Sequence, residues 1–145
     1  MGYPKGQKLR HTFLWDIGGT GDSAVATGVI PIFSAPANCL IHKVSADVKT
    51  IVAGSTAETL GDGTDVDGYL LDSFAATTGV YPLSAEDVLI GVFQKATTAG
   101  ATDPLDVSNS PEVKLYSSAD TIDFAITGTA TTGKIRFTVD FEILY

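Results

Sequence analysis

The sequence predicts an all-β fold: an antiparallel two-sheet sandwich, jelly-roll-like, with an extended N-terminal arm. Three observations lead there. The chain is rich in Thr, Ala, Gly and Val, a composition of strands and turns rather than helices. Apolar residues recur at every second position in several runs, above all between Ile122 and Tyr145. Clusters of Gly, Pro, Asn, Asp and Ser interrupt those runs at short intervals, with no internal repeat.

Taken in order, residues 1–8 form the arm and residues 9–145 a single domain, long enough to bury a continuous core without disulfides or metal. Leu9 to Trp15 reads as the first strand, ended by the loop Asp16 to Ser23. Ala24 to Phe33 is a second extended run. Pro31 cannot donate to a ladder, so Val29 to Phe33 belongs on a sheet edge or at a strand end. After the turn Ser34 to Asn38, the run Cys39 to Val52 alternates. Leu40, His42, Val44, Ala46 and Val48 share its apolar face, and Lys43, Ser45, Asp47 and Lys49 the other. Ala57 to Leu60 resumes an edge, and Tyr69 to Phe74 is a short apolar segment, a strand or a single helical turn. Ser84 to Asp87 resembles a capping box, but Val88 to Phe93 after it is β-branched and broken by Gly91, which favours a turn followed by a strand buried on both faces. Ala96 to Asp106 reads as a loop and Glu112 to Tyr116 as another short strand. Finally Ile122, Phe124 and Ile126 approach the Gly/Thr run Thr127 to Gly133, and Ile135, Phe137, Val139, Phe141, Ile143 and Tyr145 leave it. This predicts a long hairpin with one core face.

The net charge of −8 is unevenly spread. Residues 1–15 carry Lys5, Lys8 and Arg10 with no acid, leaving six basic and seventeen acidic residues beyond them. An acidic body repels phosphate backbones and argues against direct nucleic-acid binding, whereas a basic arm suits contact with an acidic protein surface. No stretch of about 18 consecutive apolar residues exists to span a membrane, and the first residues lack the apolar run of a secretory signal, so a soluble protein made in the cytoplasm is expected. The single cysteine, Cys39, cannot form an intrachain disulfide and reads as a small core residue.

Between Leu60 and Asp72 three glycines and four carboxylates crowd into one loop. Asp62, Asp65 and Asp67 are the candidates for a cation site there, but the EF-hand register fails. With Gly68 at the sixth loop position, Gly63 falls at the first and Phe74 at the twelfth, so the opening carboxylate and the closing glutamate are both missing. Gly and Asx turns account for the loop without an ion, and no cofactor is expected. His42 on an apolar face reads as a satisfied core or inter-subunit histidine. A Cys39–His42 nucleophile pair is excluded by odd spacing, which sends the two to opposite faces. Nucleotide, hydrolase and zinc-protease motifs are missing, and Gly18-Gly19-Thr20-Gly21 lacks the helix that a phosphate cradle needs, so no catalytic residue is assigned. Tyr3, Phe13, Trp15, Tyr69, Tyr81 and Tyr116 could stack sugars, although packing is the commoner use of aromatics.

The basic arm, the run Lys43-Val44-Ser45-Ala46-Asp47-Val48-Lys49, the loop Leu60-Gly61-Asp62-Gly63-Thr64-Asp65-Val66-Asp67-Gly68-Tyr69-Leu70 and the alternating last strand together resemble the capsid decoration, or cement, proteins of tailed bacteriophages and related small virion components. The resemblance implies a non-enzymatic β-sandwich that forms a homotrimer on the capsid exterior, made in the host cytoplasm. It would bind between major capsid proteins and stabilise the shell, with Lys5, Lys8 and Arg10 as capsid-contact candidates. The alternatives are a tail or fibre component and, from another class, a carbohydrate-binding or host-attachment module.

Overall fold

Two long strands organise the computed structural model, which describes residues 2–19, 21–22, 25–82, 91, 93 and 114–145. Six strands run in the order β1 (Lys8–Asp16), β2 (Gly28–Ala35), β3 (Cys39–Gly61), β4 (Gly79–Tyr81), β5 (Lys114–Tyr116) and β6 (Asp120–Ile143), with a 3₁₀ turn at Phe74–Ala76 between β3 and β4. Strands β3 and β6 are 23 and 24 residues long and pair antiparallel from Cys39 opposite Ile143 to Gly61 opposite Asp123. The other edge of β6 carries β1 along Lys134–Glu142 and β2 along Asp120–Ile126, while β4 and β5 add to β3. The architecture is all-β and antiparallel. A single curled sheet makes the jelly-roll-like sandwich, its halves sharing β3 and β6.

Folding over is visible in the core. At roughly 3.3 Å per residue, Phe124 and Phe137 would stand about 40 Å apart on a straight strand, yet their rings are 5.0 Å apart. Trp15 from β1 meets Phe124 at 5.1 Å, and Phe74 packs on both phenylalanines. All four are fully buried. The bend lies where pairing of β3 with β6 loses regular register, between Val48 and Ala57. Gly54 there has φ +91, and a Cβ on it would stand 2.6 Å from the Thr129 carbonyl oxygen, so the two strands can cross this closely only with glycine.

Three sequence expectations need correction. The segment Thr127–Gly133 is not a hairpin turn but the bent middle of β6, and it stays alongside β3 through Ala53 opposite Thr132 and Ser55 opposite Gly128. Glycines at positive φ, Gly128 at 84° and Gly133 at 156°, let one strand change direction without ending. Leu40 and His42 are not on the core face. A register shift between Ile41 and Lys43 points Cys39 and Ile41 inward, as it does Val44, Ala46 and Val48, and leaves His42 half-buried outside. Finally, the many short strands expected are, among the described residues, four short or medium strands and two long ones. The bulge beside Pro31 on β2 agrees with its edge position. The expected turn Ser84–Asp87, the strand Val88–Phe93 apart from Gly91 and Phe93, and the loop Ala96–Asp106 lie outside the described residues.

Candidate functional site

The acidic loop leaves β3 at Gly61 and is closed at its base by β-type pairing of Leu60 with Leu70, at 3.1 and 3.0 Å. Asp62 holds its interior. Oδ1 accepts hydrogen bonds from the Thr64 amide (2.9 Å), the Thr64 hydroxyl (2.6 Å) and the Asp65 amide (3.0 Å), forming an Asx turn. Oδ2 accepts the Tyr116 hydroxyl at 2.7 Å, and the Lys114 ammonium stands 3.5 Å away. Tyr116 and Tyr69 join hydroxyls at 2.9 Å, extending the buried network across the sandwich. Asp62 is 2% exposed. Burial alone would push its carboxyl pKa up; the bonds from Thr64, Tyr116 and Asp65 outweigh it and hold the pKa below the ordinary value.

The sequence-predicted cation candidates are therefore not equivalent. Asp62 faces inward with both oxygens occupied by donors, whereas Asp65 and Asp67 sit half-buried at the loop's tip. Asp67 donates its amide to Asp65 Oδ1 at 3.4 Å. Its carboxyl pKa is raised by hydrogen bonding to Asp65, then by burial, then by repulsion. Among the described residues no three His, Cys, Asp or Glu side chains converge as a metal centre would. Nearby, Asp123 Oδ1 is buried without a hydrogen-bond partner among the described residues, and burial raises this carboxyl's pKa too. Tyr116 and Lys114 escape sequence reasoning, since nothing local ties them to a loop some fifty residues earlier; Tyr116 was visible only as one aromatic among several.

The basic candidates gather at the opposite end of β6. Lys5 bridges to Ile143, the Gly6 amide bonds the Ile143 carbonyl at 2.7 Å, and Tyr3 meets Phe141 edge-on at 4.9 Å. Lys8 opens β1 opposite Glu142. Arg10 makes a two-pronged contact with Asp140, at 2.7 and 3.0 Å. His42 meets Glu142 at 3.1 Å, and His11 meets the Ile32 carbonyl at 3.0 Å, tying β1 to β2. Cys39 points into the core, where burial pushes its thiol pKa up to about 11, away from His42 outside.

Of the aromatics considered as a sugar platform, Trp15, Tyr69 and Tyr116 are buried, and Phe13 and Tyr81 pack partly buried against the core. Trp15 donates its indole N–H to the Val25 carbonyl at 2.9 Å. Among the described residues, no helix is long and apolar enough to cross a membrane.

No family model and no curated protein matches this sequence. Among solved structures, a chain of the acidic stable capsid structure of Helicobacter pylori bacteriophage KHP30 superposes with a TM-score of 0.52, covering 95% of this chain and 89% of that one at 14% identity. The two chains share a fold. A chain of the cyanophage Pam1 capsid asymmetric unit aligns over 97% of this chain and 91% of its own, at 16% identity and a TM-score of 0.45. Identity this low transfers no individual side chain.

Proposed function

We propose that the chain is a non-enzymatic virion structural protein, and more narrowly a capsid decoration protein that binds as a homotrimer between major capsid proteins on the shell exterior. The observation that carries the reading is the fold shared over 95% of the chain with a component of a phage capsid structure. The internal chemistry is compatible with it, since the buried polar groups around Asp62 are engaged in holding a loop rather than presented to a substrate. Such a subunit needs no reaction. Each copy that bridges a seam adds contacts that must break before the shell opens, so stability rises by mass action with the occupancy of the seams. The arm and the start of β1, with Lys5, Lys8 and Arg10, supply the capsid contact in this reading, and nucleic acid takes no part.

The test uses shells assembled from the major capsid protein of the same genome. Purified chain added to them should co-sediment, appear by electron microscopy at three-fold positions outside, and raise the shell's melting temperature. Removing residues 1–7, which precede β1, should preserve folding and weaken attachment, more so at raised ionic strength. Shells that stay bare and melt unchanged overturn the decoration reading. Undiminished binding by the truncated chain overturns the role of the arm.

A further inference from the structure

Register concentrates the chain's basic charge on one surface. Where β1, β6 and β3 lie side by side, the positions pointing away from the core are the even residues of β1, the even residues of β6 from 134 to 142, and Lys43, Ser45, Asp47 and Lys49 of β3. This face holds Lys8, Arg10, Lys43, Lys49, Lys134 and Arg136, six of the nine basic residues of the chain. It holds only four of the seventeen acidic ones, Asp16, Asp47, Asp140 and Glu142, so the rest of the chain carries three basic residues against thirteen acidic.

The face's own acids are already engaged. Asp140 pairs with Arg10 at 2.7 Å, Asp47 with Lys49 at 2.6 Å, Asp16 with Lys134 at 3.7 Å and Glu142 with His42 at 3.1 Å. Lys8, Lys43 and Arg136 are exposed and, among the described residues, have no carboxylate within ion-pair distance. A polar sheet face with a formal surplus of two positive charges, on a chain otherwise strongly acidic, is a charge complement to the remainder of a second copy.

The geometry points to a head-to-tail contact between copies of this chain, in which the basic outer face of β6 and β3 around Lys43 and Arg136 receives the Asp65-Val66-Asp67 loop tip of a second copy, leaving the start of β1 to the shell. Two features of the tip suit that seat. Val66 between the two carboxylates is 62% exposed, so the tip, pinned from inside by Asp62, stands clear of its own chain and can reach a neighbour. Asp65 and Asp67 crowd each other, and a cation from outside relieves that crowding. A two-fold contact of the face with itself is disfavoured, because it would set the surplus cations against one another. The contact joins two different patches, and when it is repeated head to tail it closes into a ring if the rotation per subunit permits. This contact deepens the self-association within the proposed function, yet it requires no shell protein.

The test is run on purified full-length chain with no capsid present, so its failure leaves shell binding to be judged separately. Sedimentation equilibrium in about 50 mM salt, where screening is weak, should reveal an oligomer that dissociates in about 1 M salt. The pair Lys43→Glu/Arg136→Glu, at exposed sites without internal bonds, should weaken association at least about tenfold, as should Asp65→Lys/Asp67→Lys. Combining all four substitutions in one chain restores opposite charges across the contact and should restore the oligomer. Carbodiimide coupling of the native oligomer, mapped by mass spectrometry, should join the Lys43 amine to the Asp65 or Asp67 carboxyl between chains, a readout that does not depend on any variant folding. A native chain that stays monomeric in low salt overturns the proposal, as do crosslinks confined to other surfaces or a face variant that associates like the native chain.

Discussion

Replacing Tyr116 with Phe removes one oxygen from the buried network while keeping the ring that packs in the core. That oxygen donates to Asp62 Oδ2 at 2.7 Å and shares a bond with the Tyr69 hydroxyl at 2.9 Å. Tyr116 is 4% exposed and Asp62 2%, so water does not readily take its place. A hydrogen bond to a charged group contributes about 1.5–3 kcal/mol, and the loss should fall in that range. For a domain of this size each kcal/mol moves Tm by about 2–4 °C, which places the expected drop at about 3–12 °C at pH 7. The pH dependence identifies the carboxylate. Because the folded-state pKa of Asp62 is depressed, its stabilising contribution is present above the unfolded value of about 3.9 and is lost as pH falls through the folded pKa. The gap between native and Tyr116→Phe melting curves should therefore be widest near neutrality and narrow as the pH falls below the ordinary carboxylate value toward the depressed folded-state pKa of Asp62, where the native protein too takes up the proton. Calorimetry or circular dichroism from pH 7 down to pH 3 measures it. A gap that stays constant over that range, or no gap at pH 7, would refute the reasoning that a charged Asp62 depends on Tyr116.

The other predictions concern the bend, the loop and the thiol. Gly133→Ala places a methyl carbon 2.4 Å from a ring carbon of the buried Trp15 at a left-handed φ, and should cost about 1–3 kcal/mol in urea unfolding with a change in tryptophan emission; an unaltered midpoint would show that β6 can move aside. EDTA should leave Tm unchanged, because the oxygens of Asp62 are engaged by Thr64, Asp65 and Tyr116; a fall of several degrees that calcium reverses would establish an ion site at Asp62, Asp65 and Asp67. Cys39, fully buried with its thiol raised to about 11, should react with a thiol reagent at neutral pH only as fast as the chain unfolds, and prompt labelling of the native protein would contradict its core position.

Strand identity was legible where one face is buried and the period of two is unbroken, as in Leu9 to Trp15 and Ile135 to Ile143. Continuity was not. The Gly/Thr run Thr127 to Gly133 carries the same residue types as a hairpin loop, and only the presence of β3 alongside distinguishes a bend from a reversal. The face of His42 was misread for a related reason. A one-residue register shift inverts every position before it, and the partner strand decides whether such a shift occurs. The Asx turn of Asp62 was readable from Asp and Gly spacing, because it closes within three residues. The Tyr116 hydroxyl on the same carboxylate arrives through tertiary structure, as do Arg10 on Asp140 and His42 on Glu142, so the surfaces those pairs form have no local signature.

The shared ribbon of β3 and β6 also dictates when this chain can fold. β6 supplies the partner for β1, β2 and β3 alike, and its contacts with β3 join residues as far apart as Cys39 and Ile143, while the His42–Glu142 side-chain contact spans 100 positions. Until β6 has left the ribosome, β1 and β2 have no ladder to join and Trp15 has no Phe124 to cover it. Nascent chains must therefore expose apolar strands throughout synthesis, and closure of such distant pairings makes folding slow relative to a chain of local contacts. A ribosome-stalled fragment ending before Asp120 should remain protease-sensitive in β1 and β2, whose ladder partner among the described residues is β6, and gain protection there only once that strand is free to find its neighbours.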